Sequence, residues 1–164
     1  MNQKIGGDIA PDSFRDEKRY WWWLPLFVAV SPMIGIYLAH VSGQQAYTWL
    51  TALLWYVALP IADALVGRDT RNPPDAAVPA LEADRCYKAL VYLSIPLFYI
   101  TWVAGVWAVA SVGYGWVGYL GVSLAVALTN GLALVVGHEI GRKTTRFEKR
   151  LAQIVLAVPA YGHF

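Results

Sequence analysis

The sequence predicts an all-α integral membrane protein with about four transmembrane helices and a C-terminal interfacial amphipathic helix. Three observations predict it. Of 164 residues, 57% are hydrophobic and 15% charged, whereas a soluble domain carries about a quarter charged residues. Four apolar stretches each approach the roughly 20 residues that a helix needs to cross about 30 Å of hydrocarbon. All thirteen Lys and Arg residues lie in three polar segments, and the two remaining connections carry none.

The first stretch runs from about 20 to 39 and opens on Tyr20-Trp21-Trp22-Trp23, aromatic residues suited to a membrane–water interface. The polar run from Met1 to Arg19 before it has no small-residue cleavage site after a short apolar run, so it does not read as a secretory signal. The second stretch spans about 47–66, the third about 89–109 and the fourth about 116–136. Pro25, Pro32, Pro60 and Pro96 fall inside them. Membrane helices tolerate proline where neighbours satisfy the freed carbonyl, so kinks rather than breaks are expected. The positive-inside rule then places the N-terminal segment, the connector 67–88 and the tail 137–164 in the cytoplasm, with short hairpins at about 40–46 and 110–115 outside. Both termini are therefore expected to be cytoplasmic, and residues 1–164 to form a single membrane domain.

Between the second and third stretches lies GRDTRNPPDAAVPALEADRCYK. Asn72-Pro73-Pro74 marks a turn, and Pro79 can start a short helix through Leu81 to Tyr87. An ordered connector and a plain linker both fit. After the fourth stretch, RKTTRFEKR is polar and LAQIVLAV is apolar for eight residues, too few to span. Phe147, Leu151, Ile154 and Val155 recur at helical spacing, as in an amphipathic helix lying on the cytoplasmic surface. The single cysteine, Cys86, has no intrachain disulfide partner, and the net charge of +2 gives no reason to expect a nucleic-acid partner.

Few residues can carry chemistry, and none is identifiable as catalytic from the sequence. His138-Glu139-Ile140-Gly141-Arg142 ends the fourth stretch. Two histidines four apart on a helix would form a metal clip, but the second position is Arg142, which offers no lone pair. His138 then reads either as one metal ligand, with Glu139 beside it, or as an interfacial imidazole. A zinc-protease H-E-x-x-H reading fails for want of the second histidine. Asp63 is an acid inside the second stretch, either functional or reaching water or Arg68 near the cytoplasmic end. Asn130, two turns before His138, is either a hydrogen-bonding support for His138 or a helix–helix contact. His40 is expected on the outer face, where it cannot share an ion with His138. His163 is cytoplasmic but isolated near the chain end.

Several long blocks resemble one family. Ser31-Pro32-Met33-Ile34-Gly35-Ile36, WYVALPIADALVGRDTRNPPD, VPALEADRCYK, NGLALVVGHEIGRK and FEKRLAQIVLAVPAYGHF are similar to the N-terminal part of membrane-bound alkane 1-monooxygenases, the bacterial alkane ω-hydroxylases. The resemblance implies hydroxylation of the terminal methyl of medium-chain alkanes by O2 at a non-haem di-iron centre. It also implies rubredoxin and rubredoxin reductase as electron donors, substrate entry from the lipid phase, and a multi-pass location in the bacterial inner membrane. His138 matches the first histidine of the family's first box, H-E-[LI]-G-H-K, and Arg142 stands at the second, where a fixed positive charge repels a metal. The family continues into a further box, E-H-x-x-G-H-H, beyond Phe164. The expectation is therefore an N-terminal fragment, inactive by itself for lack of the other histidines. Trp55, bulky and inside the second stretch, is a candidate for limiting substrate penetration, or else a lipid-facing or packed indole. The second functional class is a non-enzymatic four-helix membrane protein, such as a transporter subunit or scaffold.

Overall fold

The computed structural model describes residues 16–67 and 73–161. Four helices in it are long and apolar enough to cross a membrane, and the described residues include no strand. A 3-10 turn, Trp21–Trp23, leads into α1, Leu24–Ser42. The second span, α2, is the composite helix Gln45–Val66. The short connector helix α3 is Val78–Ala83. The third and fourth spans are α4, Arg85–Ser111, and α5, Trp116–Gly141. The last helix, α6, is Arg146–Ala157.

Three of the four spans contain proline, and they accommodate it in more than one way. Pro25 sits in the first turn of α1, where its missing N–H would have had no partner anyway. α1 continues through Pro32 and α4 through Pro96. In α2 the backbone changes character: 3-10 at Gln45–Trp49, α at Leu50–Leu53, π at Leu54–Ala58, then α again at Leu59–Val66, whose second residue is Pro60. A π turn widens the helix by one residue, giving the pyrrolidine ring room before the regular ladder resumes.

The long helices extend beyond their hydrocarbon-length stretches, because intrahelical hydrogen bonds do not stop at the membrane surface. α4 starts four residues before Ala89, capped by Asp84, whose carboxylate accepts from the Cys86 N–H at 2.6 Å. That cap also ends the connector helix. Asp84 is extended, with ψ 131°, so α3 stops at Ala83 instead of running to Tyr87.

Packing centres on α5. Gly121, Ala125, Thr129, Ala133 and Gly137 recur every fourth residue and are all buried. Small residues at this spacing let neighbouring backbones approach closely. A Cβ on Gly121 would lie 2.0 Å from Thr48 Oγ1, and one on Gly137 2.5 Å from Leu156 Cδ2. On α4, a Cβ on Gly105 would meet Val126 Cγ2 at 2.5 Å. Between spans, Thr101 Oγ1 donates to the Ala29 carbonyl at 2.9 Å, and the Ser31 and Thr51 hydroxyls lie 3.1 Å apart. At the uncharged rim, Gln45 Oε1 accepts from the N–H groups of Gly115 and Gly118 at 3.0 and 3.2 Å, and Trp49 Nε1 donates to the Val117 carbonyl at 3.1 Å.

α6 begins on an N-cap: Thr145 Oγ1 accepts from the Glu148 N–H at 3.2 Å. Its apolar residues divide between two surroundings. Ala152, Val155 and Leu156 are buried with Ala133 and Ile140 of α5 and with Ile95 and Phe98 of α4, whereas Phe147 and Ile154 remain 62% and 48% exposed. The Tyr92 ring meets Phe147 edge-on at 6.0 Å, and the Tyr99 hydroxyl donates to the Ile154 carbonyl. Both pairs advance by seven residues, so α6 and α4 run side by side in the same direction.

Gly35 gives the sharpest packing test. A Cβ there would stand 2.7 Å from the Tyr47 carbonyl oxygen, a backbone atom that no rotamer change can move. Gly35→Ala is expected to destabilise the protein by about 1–3 kcal/mol, read as a lower thermal midpoint in detergent. Gly131→Ala, with nothing within 4 Å of the new atom, should leave the midpoint unchanged or raise it.

Candidate functional site at the charged end of the bundle

His138 lies one turn before the end of α5, half-buried. The Tyr161 ring meets its imidazole edge-on, with centroids 5.6 Å apart. Tyr161 is brought there by a turn after α6, in which its N–H donates to the Leu156 carbonyl at 2.8 Å and Ala160 adopts φ 60°. Arg142, one turn after His138, is exposed, and its backbone N–H closes the helix on the His138 carbonyl at 3.3 Å. Its guanidinium has only donors.

Glu139 faces elsewhere. Its carboxylate lies 3.3 Å from Lys143 Nζ, which also reaches Glu82 of the connector helix at 3.2 Å. Lys143 thus joins α3 to the helix that carries His138. Burial works to lower the Lys143 pKa, but hydrogen bonds and attraction from Glu82 and Glu139 outweigh it and hold the ammonium above its ordinary value.

A second set of contacts, invisible in the sequence, ties the segment before α1 to the start of α4. Asp16 accepts from the Tyr87 hydroxyl, from Trp22 Nε1 at 3.1 Å and from the Lys18 N–H at 2.8 Å. Arg19 pairs with Asp84 at 3.0 Å. Asp16, Arg19, Asp84 and Tyr87 line a cavity of about 340 Å³ with Glu17, Tyr20 and Leu81. Burial pushes the Asp16 carboxyl upward, but the bonds from Tyr87, Lys18 and Trp22 together hold it below the usual carboxylate range. Asp84 could have been read as a helix cap. The Asp16–Tyr87 pair, 71 residues apart, has no sequence signature.

The remaining candidates are dispersed. Asp63 is exposed near the charged end of α2, where its carbonyl accepts the Gly67 N–H at 2.9 Å. Arg68, its expected partner, lies outside the described residues, as does His163. Asn130 is half-buried, with its Oδ1 buried and without a partner among the described residues; Trp55 is the same at its indole N–H. His40 ends α1 beside Trp107, ring centroids 6.2 Å apart, at the opposite end of the bundle from His138. Among the described residues, no three His, Cys, Asp or Glu side chains come together to hold a metal ion. The donor set here, one imidazole with an arginine one turn away, does not fit a di-iron centre.

No family model matches the chain. Individual curated proteins do. Over 157 residues, or 96% of its length, the chain is 42% identical to the alkane 1-monooxygenase of Ectopseudomonas oleovorans and 41% identical to that of Pseudomonas putida. It is 39% identical to alkane 1-monooxygenase 1 of Alcanivorax borkumensis over the same share. The chain spans 39% of the length of each.

Two predictions test the charged end. Because the Asp16 pKa is depressed in the folded protein, its contribution to docking is complete above the unfolded carboxyl pKa and is lost as pH falls through the lower folded value. Backbone exchange at residues 18–23, corrected for intrinsic rate, should therefore stay level down to the ordinary carboxyl pKa of 3.8 and rise below it, and Asp16→Asn should reproduce that rise at neutral pH. Lys143→Met should release α3 from α5. The cost is roughly 0–1 kcal/mol for such exposed pairs, seen as faster proteolysis of the connector with the spans intact.

Proposed function

We propose that this chain is a membrane-embedded portion of an alkane 1-monooxygenase, the part that carries the first histidine box. The observation that supports this most strongly is 39–42% identity over 96% of the chain to proteins of that name. Composition agrees. Four apolar helices provide a body that an alkane can approach from the lipid phase, and the basic segments give it a cytoplasmic side. In this reading the protein lies in the bacterial inner membrane with both termini in the cytoplasm. Medium-chain alkanes are hydroxylated at the terminal methyl, and electrons arrive from rubredoxin reductase through rubredoxin at the face bearing His138.

Within that reading each residue has a restricted part. His138 contributes one imidazole to a non-haem iron site whose other ligands come from outside this chain. Lys143, held between Glu82 and Glu139, fixes the end of the helix on which His138 sits. Arg142 places a permanent positive charge where the resemblance calls for a neutral ligand, which disfavours metal at that position. Trp55 narrows the path along α2, while Asn130, Glu139 and Asp63 act by positioning rather than by ligation. The chain alone is inactive.

The test joins this chain to the remaining portion of the Pseudomonas putida relative, with Arg142 retained or replaced by histidine. Iron content and 1-octanol formed from octane with rubredoxin and its reductase are the readouts. The unfused chain should form no alcohol. Arg142→His in the fusion should raise iron content and turnover by at least about 10-fold, since even supporting partners of a metal ligand are worth that much. Equal activity of both fusions would remove the role given to position 142. Inactivity of both would move the weight to a non-enzymatic four-helix protein.

A further inference from the structure

α6 turns two unlike surfaces away from the bundle. Arg146, Lys149 and Arg150 are exposed and, spaced three and four apart, share one side of the helix. None of the three pairs with an acid among the described residues. The single acid of α6, Glu148, is engaged elsewhere: its carboxylate accepts from the Tyr92 hydroxyl at 3.3 Å and from the Thr145 hydroxyl at 2.5 Å. Phe147 and Ile154, both exposed, lie seven residues apart on the side next to the cations.

The depth of this surface restricts what can cover it. Phe147 meets Tyr92, and Ile154 meets Tyr99, so the two stand beside a spanning helix roughly 5 and 15 Å past Ala89, where its apolar stretch opens. Lys149 and Arg150 lie between those levels. Cations so placed reach back to the headgroup layer along their own apolar stems, and leaving them there without an anion is costly. A water-soluble partner meets the end of the bundle but not the level of Tyr99. A phospholipid meets both, with its phosphate among the cations and an acyl chain beside Phe147 and Ile154. Charge then selects among lipids. Three cations, with no carboxylate left to receive an ammonium, favour a headgroup of net negative charge over a zwitterionic one.

We propose that the outer face of α6 seats one anionic phospholipid, its phosphate held by Arg146, Lys149 and Arg150 and an acyl chain lying along Phe147 and Ile154. The leaflet is the one at the charged end of the bundle, which the positive-inside rule makes cytoplasmic. The site depends on the position of α6 against α4 and not on the hydroxylase reading.

The experiment uses the whole chain, stripped of lipid in detergent. Phosphatidylglycerol and phosphatidylcholine with identical acyl chains are titrated in, and bound lipid is counted by native mass spectrometry. One phosphatidylglycerol should bind in preference to phosphatidylcholine. Lys149→Gln with Arg150→Gln should weaken that binding about 30-fold, as expected for two cations at an anionic surface. Arg68→Gln with Arg71→Gln, which removes the same charge from the connector, should leave it unchanged. The exchanged pair Lys149→Arg with Arg150→Lys should retain binding, and Phe147→Ser with Ile154→Ser should weaken it with all three cations in place. Equal uptake of the two lipids would overturn the proposal, as would equal losses in the two glutamine variants. Displacement of the lipid by millimolar inorganic phosphate would reduce the site to a phosphate site, and displacement by rubredoxin would give the face to a soluble protein; either result overturns it. Failure of octane hydroxylation in the fusion, with lipid selectivity intact, would remove the hydroxylase reading and keep the lipid site.

Discussion

The close approach of helices along one seam of α5 governs the rest of the structure. In a membrane the lipid is as apolar as a leucine side chain, so burying apolar surface gives little reason for helices to associate. What remains is intimacy of contact. Gly121, Ala125, Thr129, Ala133 and Gly137 are all buried, and the seam they form receives Thr48 at one end and Leu156 at the other. The same logic holds at Gly35, where the Tyr47 carbonyl takes the place of a side chain. Buried hydroxyls on Ser31, Thr51 and Thr101 then bond across or along the helices, so polarity inside the bundle is local and satisfied at these points.

At the charged end the structure is held by a different kind of contact. Lys143 between Glu82 and Glu139, Arg19 on Asp84, and Asp16 beneath Tyr87 and Trp22 connect three segments that are far apart in sequence. His138 lies on the helix these contacts hold. Its neighbour one turn away is an arginine, and its aromatic companion, Tyr161, comes from beyond α6. The surroundings are therefore well supported but chemically sparse: among the described residues, no three possible metal ligands come together there.

Much of this was legible in the sequence, for definable reasons. Runs of about 20 apolar residues and thirteen cations confined to three segments reflect the solvent in which each residue sits, a property readable one position at a time. The resemblance carried by the connector and by the block around His138 agrees with the relatives found. Pairwise facts were not legible. Nothing in the string around Asp16 announces Tyr87, nor does the apolar spacing of α6 say that Val155 enters the core while Phe147 stays outside. The end of α3 at Ala83 was missed because Asp84, acidic and unremarkable in the string, caps the next helix instead of continuing the previous one.

The two rims of the bundle are closed by unlike chemistry. One is fastened by neutral donors and acceptors: Gln45 on the N–H groups of Gly115 and Gly118, and Trp49 on the Val117 carbonyl. The other is fastened largely by charges that stand in water, since the Lys143 and Glu82 side chains are 31% and 57% exposed. Dissolved ions shorten the reach of exposed charges to a few ångströms at molar concentration and leave amide-to-carbonyl bonds nearly untouched. Ionic strength thus acts as a one-sided solvent variable on this molecule, easing the connector and the segment before α1 away from the bundle while the opposite turns stay closed.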